Sequence, residues 1–259
     1  MAKYRKTLTT KRFELRPMTA ADAPKLADLG ADPDVVKNLI FDWSTPALRL
    51  EIAKFWIRHH QETDLWGVID RDQVFVGFLA VDETLPESGQ GPEIYYAFRQ
   101  DRWGQGVASE VVRAGISHLF AEQGAAAVEA LVLAGLNPAS IELLEKLGMK
   151  LVGRYPLADY VGSACRPTMD YEVWRVANAP PERAEQTLQE AAFKIGQFVA
   201  DGISSKAEMA AALERAAAGL ANRLGEETVQ RLINQHLEAG LTEAGWLHYR
   251  VLPTTFSEP

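Results

Sequence analysis

The stretch PEIYYAFRQDRWGQGVASEVVRAGISHL, Pro92 to Leu119, decides how this chain is read. Glu93 to Phe98 has the character of a strand, a turn follows that holds Gly104 and Gly106, and an amphipathic helix begins at about Val107. A strand that feeds a glycine-bearing turn and then a helix N-terminus makes an anion site. The glycines let backbone approach a ligand, the first helical N–H groups lack an intrahelical partner, and the macrodipole favours negative charge. Such a loop suits a phosphate or pyrophosphate. Glycine pairs are common in turns, so the rest of the chain has to decide.

Working outward, Leu65 to Asp70 and Val74 to Asp82 read as two strands joined by the polar turn Asp70-Arg71-Asp72-Gln73, with Gly77 marking a bulge or a close backbone approach. Further upstream, Lys11 to Pro17 alternates as a first strand, and Thr19 opens a short helix to about Leu29. Thr45-Pro46 is an N-cap with proline at the first helical position, and the helix it starts carries Leu48, Ile52, Phe55 and Trp56 as an apolar stripe. Downstream, the helix after Gly106 turns Val107, Val111, Ala114 and Leu119 inward, and Val128 to Leu133 is a continuous apolar strand of the doubly buried kind. Asn137-Pro138-Ala139-Ser140 leads into a helix from Ile141 that stops at Gly148, with Ser140 as its candidate cap. Met149–Tyr155 and Thr168–Val176 read as two last strands. The order predicts a mixed α/β layer structure over 1–178.

Asn178-Ala179-Pro180-Pro181 breaks the pattern, and 179–259 reads as a linker and helical C-terminal region of three or four short helices, with a serine cap in ISSKAE and Gly202, Gly219, Gly225 and Gly240 as helix ends. The simplest reading of this alanine-rich part is a bundle that packs on the preceding domain or on a second copy of itself.

Composition narrows the classes. The chain has 259 residues, 47% hydrophobic and 24% charged, with a formal net charge of −8. Both parts are acidic, with 20 Lys+Arg against 24 Asp+Glu in 1–178 and 7 against 11 beyond, which argues against a nonspecific grip on nucleic acid. No run approaches a membrane span, and the basic start MAKYRKTLTTKRFEL has no apolar core of a signal peptide. Cys165, the single cysteine, excludes an internal disulfide and a cysteine zinc site and fits a cytoplasmic location. It falls in what reads as a loop, with no histidine nearby to activate it. The five histidines show no metal-ligand spacing, and His59-His60 would diverge on a helix as a surface pair.

Three separated pieces resemble the GNAT-fold acetyltransferases. In WGQGVA, Trp103, Gly106 and Ala108 fall on the family's Arg/Gln-x-x-Gly-x-Gly/Ala pattern; the aromatic at 103 departs from it but is similar to the RimJ/RimL-like branch, which acetylates N-termini of ribosomal proteins. NPASIELLEKLGMKLVG resembles that branch's Asn-x-x-Ser-x-x-Leu-x-Lys-x-Gly-Phe segment with Met149 in place of Phe, and RFELRPMTAAD resembles its first strand and helix. The likeness runs over about residues 8 to 176, in order.

That resemblance implies a GNAT (acyl-CoA N-acyltransferase) fold, acetyl-CoA as donor substrate, no metal, and transfer of an acetyl group to a primary amine. It implies that Gly104, Gln105, Gly106, Val107, Ala108 and Ser109, with Trp103, cradle the pyrophosphate. The strand edge Tyr96-Ala97-Phe98 would pair with pantetheine, and Asn137 would contact the cofactor arm. Ser140 aligns with a serine near the leaving thiolate, and Asp159 and Glu93 fall on the branch's acidic positions as candidate bases. An α-amino group, with a pKa near 7.7–8.0, is roughly a tenth neutral at pH 7, whereas lysine at about 10.4 is almost wholly charged. A protein or peptide N-terminus therefore needs only a modest base. The alternatives are a small-molecule amine such as an aminoglycoside, polyamine or amino acid, and a CoA-binding scaffold acting through its helical tail as a homodimer or on a protein partner.

Overall fold

The computed structural model describes residues 6–39, 42–60, 63–82, 91–156 and 165–256. Its centre is an eight-stranded sheet of β1 (Leu8–Thr9), β2 (Phe13–Pro17), β3 (Leu65–Asp70), β4 (Phe75–Asp82), β5 (Glu93–Phe98), β6 (Val128–Leu133), β7 (Lys150–Tyr155) and β8 (Trp246–Val251), in the order β1-β2-β3-β4-β5-β6-β8-β7. All neighbours are antiparallel except β5 and β6. The β3–β4 turn is closed by Asp70, whose side chain accepts from the amides of Asp72 and Val74 at 3.0 and 2.9 Å. At Gly77 a Cβ would lie 2.3 Å from the Ala97 carbonyl oxygen, so the glycine marks a close approach between β4 and β5.

Strand alternation sorts the helices onto two faces. On one face Ile94, Phe98, Val128, Ala130 and Val132 pack with α4 (Val107–Ala121) and α5 (Pro138–Lys146). On the other, Phe78, Ala80 and Ala97 meet α1 (Ala23–Leu29), α2 (Pro33–Val36) and α3 (Pro46–His59). Leu133 and Trp246 project to that same second face and join the core of α6 (Cys165–Ala177), α7 (Ala184–Ala200), α8 (Lys206–Ala216), α9 (Ala218–Leu224) and α10 (Glu226–Thr242).

Several local expectations are corrected. Thr168–Val176 is part of helix α6, not a strand. Its apolar alternation misleads because the inward side of the helix carries a buried Glu172 and Arg175 beside Met169 and Val176. The strand that sits between β6 and β7 comes instead from 246–251, beyond the boundary expected at 178, with six residue pairs to β6. The C-terminal part is therefore not wholly helical, and its helices share a core with the sheet. Gly219 and Gly240 lie inside helices rather than at their ends. Gly240 and Gly196 instead let α10 and α7 cross closely, since a Cβ on Gly240 would lie 2.0 Å from the Phe193 carbonyl oxygen. In α3 the buried residues are Ala53, Trp56 and Ile57, while Leu48 and Phe55 are 40% and 48% exposed. Cys165 opens helix α6 instead of lying in a loop.

Candidate active site

Between β5 and α4 the chain makes a short 3-10 turn and then two left-handed residues, Gly104 (φ 70°) and Gly106 (φ 73°). An L side chain is strained at these angles, so the glycines permit the turn itself. A Cβ at Gly104 would meet nothing within 4 Å, and at Gly106 only Arg12 Nη2 at 3.5 Å, so the loop lies open. The first amides of α4, at Val107, Ala108 and Ser109, have no partner within the helix. These features fit a pyrophosphate. Trp103 Nε1 donates to the Phe98 carbonyl at 2.8 Å and folds the loop back on its strand. Gln105 Nε2 donates to the Asp101 carbonyl at 2.8 Å. Arg12 adds a brace: Nη1 donates to the Gln105 carbonyl at 2.8 Å, while Nε pairs with Glu110 at 2.7 Å. Burial pushes the Glu110 carboxyl up, but hydrogen bonds from Thr10 and Arg12 more than offset it and hold it below its usual range.

The parallel strands β5 and β6 are in register at one pair only, Glu93 with Glu129, and then part. Into the opening runs a cleft of about 1280 Å³ whose walls include Tyr96, Ala97, Phe98, Trp103, Gly104, Gly106 to Ser109, Asn137 and Ser140. Backbone of β5 beyond Glu93 is thus available to pair with an extended ligand, as sheet edges do. Asn137, not Ser140, caps α5: its Oδ1 accepts from the Ser140 amide at 3.2 Å. Ser140 is left in the first turn, where its hydroxyl accepts from the Tyr96 hydroxyl at 3.3 Å. Burial pushes Tyr96 up to about 12, partly countered by the Ser140 hydrogen bond, so the phenol is neutral near pH 7.

The opposite face of the same strands holds acids. Asp82 on β4 and Glu93 on β5 are direct cross-strand partners, and Glu129 stands opposite Glu93 on β6. The outer two have cationic or imidazole partners. Glu129 accepts from Arg250 Nε at 2.8 Å and lies 3.4 Å from His248 Nε2. Asp82 lies 3.1 Å from His60 Nε2 and 3.4 Å from His59 Nε2. Burial pushes Asp82 up, yet the hydrogen bond and charge of His60 leave it below its usual range. Tyr95 extends toward His60 and Trp56 on this face. Burial, with the charges of Asp82 and Glu93, raises its phenol well above its ordinary value.

The two histidines therefore do not diverge on the surface. His59 is the last helical residue and His60 the cap beyond it, where the chain leaves the helix. His60 is buried with Nδ1 2.8 Å from the Trp56 carbonyl, and both rings reach Asp82. Glu93 is buried, 3% exposed, yet lines the cleft with Asp82, Tyr95 and His59. Asp159 lies outside the described residues. Around one cleft stand Glu93, Tyr96–Phe98, Trp103, Gly104, Gly106 to Ser109, Asn137 and Ser140, while the Gln105 side chain turns back to Asp101. Sequence reading missed Arg12, Asp82 and His60, whose partners are far along the chain; only the strand alternation that ends on Asp82 hinted at its face. Among the described residues no group of three or more His, Cys, Asp or Glu could hold a metal ion.

Fold and cleft together would suit a pyrophosphate-bearing ligand laid against a splayed parallel strand pair. The family model "Acetyltransferase (GNAT) domain" matches residues 12–150, and the chain belongs to that family of acetyl-CoA-dependent N-acetyltransferases. It is 31% identical over 150 residues to an uncharacterized protein, YkkB, of Bacillus subtilis, covering 55% of this chain and 84% of that protein. Among solved structures it is similar to RimL, a ribosomal alpha-N-protein acetyltransferase in complex with coenzyme A (TM-score 0.51, 18% identity, 60% of this chain and 90% of that one). It is also similar to Mycobacterium smegmatis RimJ in complex with a CoA disulfide (TM-score 0.50, 19% identity, 60% and 80%). At these identities the structures bear on the fold alone.

Proposed function

We propose that this chain acetylates the N-terminal amine of a protein or peptide, in the manner of the RimJ/RimL-like branch that its WGQGVAS and NPASIELLEKLG segments resemble. Acetyl-CoA, when bound, supplies the acetyl group as a thioester. The amides from Gly104 to Ser109 hold its pyrophosphate, with Trp103, Asn137 and Arg12 fixing the loop and arm. The β5 edge at Tyr96, Ala97 and Phe98 pairs with pantetheine. Glu93 takes a proton from the incoming ammonium, directly or through water. The Ser140 hydroxyl, oriented by Tyr96, donates toward the departing thiolate. Asp159 is the second candidate for the base.

The observation that carries this reading is the place of Glu93, at the point where β5 and β6 part and in the wall of the cleft. No helix among the described residues is long and apolar enough to cross a membrane, and with a single cysteine this supports a cytoplasmic enzyme. The deciding experiment is an acceptor screen following free-CoA release, with N-terminal peptides beside spermidine and an aminoglycoside. Turnover with peptides supports the reading, whereas turnover with spermidine or the aminoglycoside alone transfers it to the small-amine class.

A further inference from the structure

The C-terminal helices have no place in the mechanism just described, yet they meet the cleft at charged, buried points. Lys194 of α7 is 1% exposed. Its ammonium has three hydrogens to donate, and all three have acceptors: the carbonyls of Lys37 and Leu39 at 2.7 and 2.9 Å and Glu172 Oε1 at 2.9 Å. The other Glu172 oxygen accepts from Arg175 at 2.5 Å, and Arg175 also reaches Glu190 at 3.2 Å. Glu190 returns to the same loop through Lys37 Nζ at 3.1 Å. At the start of α7, Arg183 grips Asp34 of α2 with two hydrogen bonds of 2.7 and 2.6 Å. Asp34 also accepts from Gln100 at 2.8 Å, in the turn that leads to the glycine loop. A third tie runs from Gln197 to the Ala134 carbonyl at 2.6 Å. Val35, Lys37, Asn38 and Leu39 line the cleft on one side, Leu133 and Leu136 on another.

The geometry points to a positioning role for the helical region: we propose that Lys194 and Arg183 clamp the 34–39 segment as a wall of the acceptor site. The proposal rests on the reading that the amine enters this cleft. Buried ammonium held between two main-chain carbonyls fixes their spacing, and removing it frees a segment with only one short helix of its own. The helices would then set acceptor affinity without touching the donor. A bundle serving only as a partner-binding module has no need of charged ties to this loop.

Arg183→Gln and Lys194→Met test it, with an alanine-initiated hexapeptide and spermidine as acceptors. We expect the acceptor KM to rise roughly 3- to 30-fold, as for couplings carried through packed networks, while the acetyl-CoA KM and kcat at saturation stay within about twofold of wild type. In amide hydrogen exchange, Val35, Val36, Lys37 and Leu39 should lose about tenfold protection or more, and the α4 amides none. Unchanged exchange at 35–39 overturns the clamp. Faster exchange with an unchanged acceptor KM overturns the acceptor role, and equal rises in both KM values mean general damage and overturn it too. If Lys194→Met does not fold, Arg183→Gln, at a side chain 36% exposed, decides alone. A wild-type enzyme inactive on every amine sinks the underlying reading, while the exchange data still judge the clamp.

Discussion

The proposed donor side and the proposed acceptor side of the cleft are built by different means. The donor side is backbone: two left-handed glycines, the first turn of α4 and the edge of β5, all within Glu93–Ser109. The acceptor side is side chains from distant segments, with Arg183–Asp34 and Lys194–Lys37 joined across 149 and 157 residues. Backbone sites depend on a few conformational requirements and tolerate change elsewhere. Side-chain clamps depend on every partner, so the acceptor side can be retuned from the C-terminal helices while the donor loop stays as it is.

This contrast can be broken by experiment, beginning with the largest effect. Glu93→Gln should lower kcat by roughly 10²- to 10⁴-fold, the usual share of a general base, with little change in acetyl-CoA affinity. Equal activity of the variant with every acceptor would remove Glu93 from the chemistry. Gly106→Val forces a β-branched residue to φ 73° at a strain of about 1–3 kcal/mol. Acetyl-CoA binding, measured by calorimetry, should weaken by about tenfold or more with acceptor binding spared; unchanged affinity would show that the loop is not the donor site. Tyr96→Phe deletes one hydrogen bond to Ser140, worth about 0.5–1.5 kcal/mol, so kcat should fall about 2- to 10-fold. A pre-steady-state measurement that finds acetyl transfer unaltered would discard the pair.

The smallest effect is in acid stability, where the far end of α4 and the Arg183–Asp34 tie should separate by pH. Burial lowers the pKa of His118 on α4 in the folded state, with nearby Asp64 opposing it. The unfolded chain then binds more protons below the ordinary histidine value of about 6.5, so stability falls as pH drops through that region. Asp34 is held below its usual range chiefly by the Arg183 hydrogen bond, against the opposing effect of burial. Its contribution persists above the unfolded carboxylate value of about 3.9 and is lost as pH falls through the depressed one. Thermal melts should therefore show His118→Gln flattening part of the decline between pH 7.5 and 5.5, where His248, also depressed by burial, supplies another part. Asp34→Asn should alter the profile only below about pH 4. A reversed assignment of the two windows would contradict the electrostatics described for His118 and Asp34.

The sequence by itself determined the β5–loop–α4 element on which the proposed donor side rests. The strand, the two glycines and the helix start are contiguous, and each expresses a local rule: alternation, positive φ, an unpaired N-terminal turn. The stop at Gly148 (φ 84°) follows an equally local preference, whereas the cap falls on Asn137 and not on the expected Ser140. The tertiary structure alone decided what long-range pairing controls. Trp246–Val251 enters the sheet between β6 and β7 because its outer face, Tyr249 and Val251, completes the core over α4 and α5, and its inner face brings Arg250 to Glu129. Residues 168–176 alternate like a strand, yet they form a helix whose buried Glu172 and Arg175 pair with each other and with Lys194 and Glu190. No periodicity in one segment reports a counter-charge 15 or 22 residues away in another. The same reason hid His60 and Asp82, whose meeting depends on where α3 ends against β4 rather than on either sequence alone.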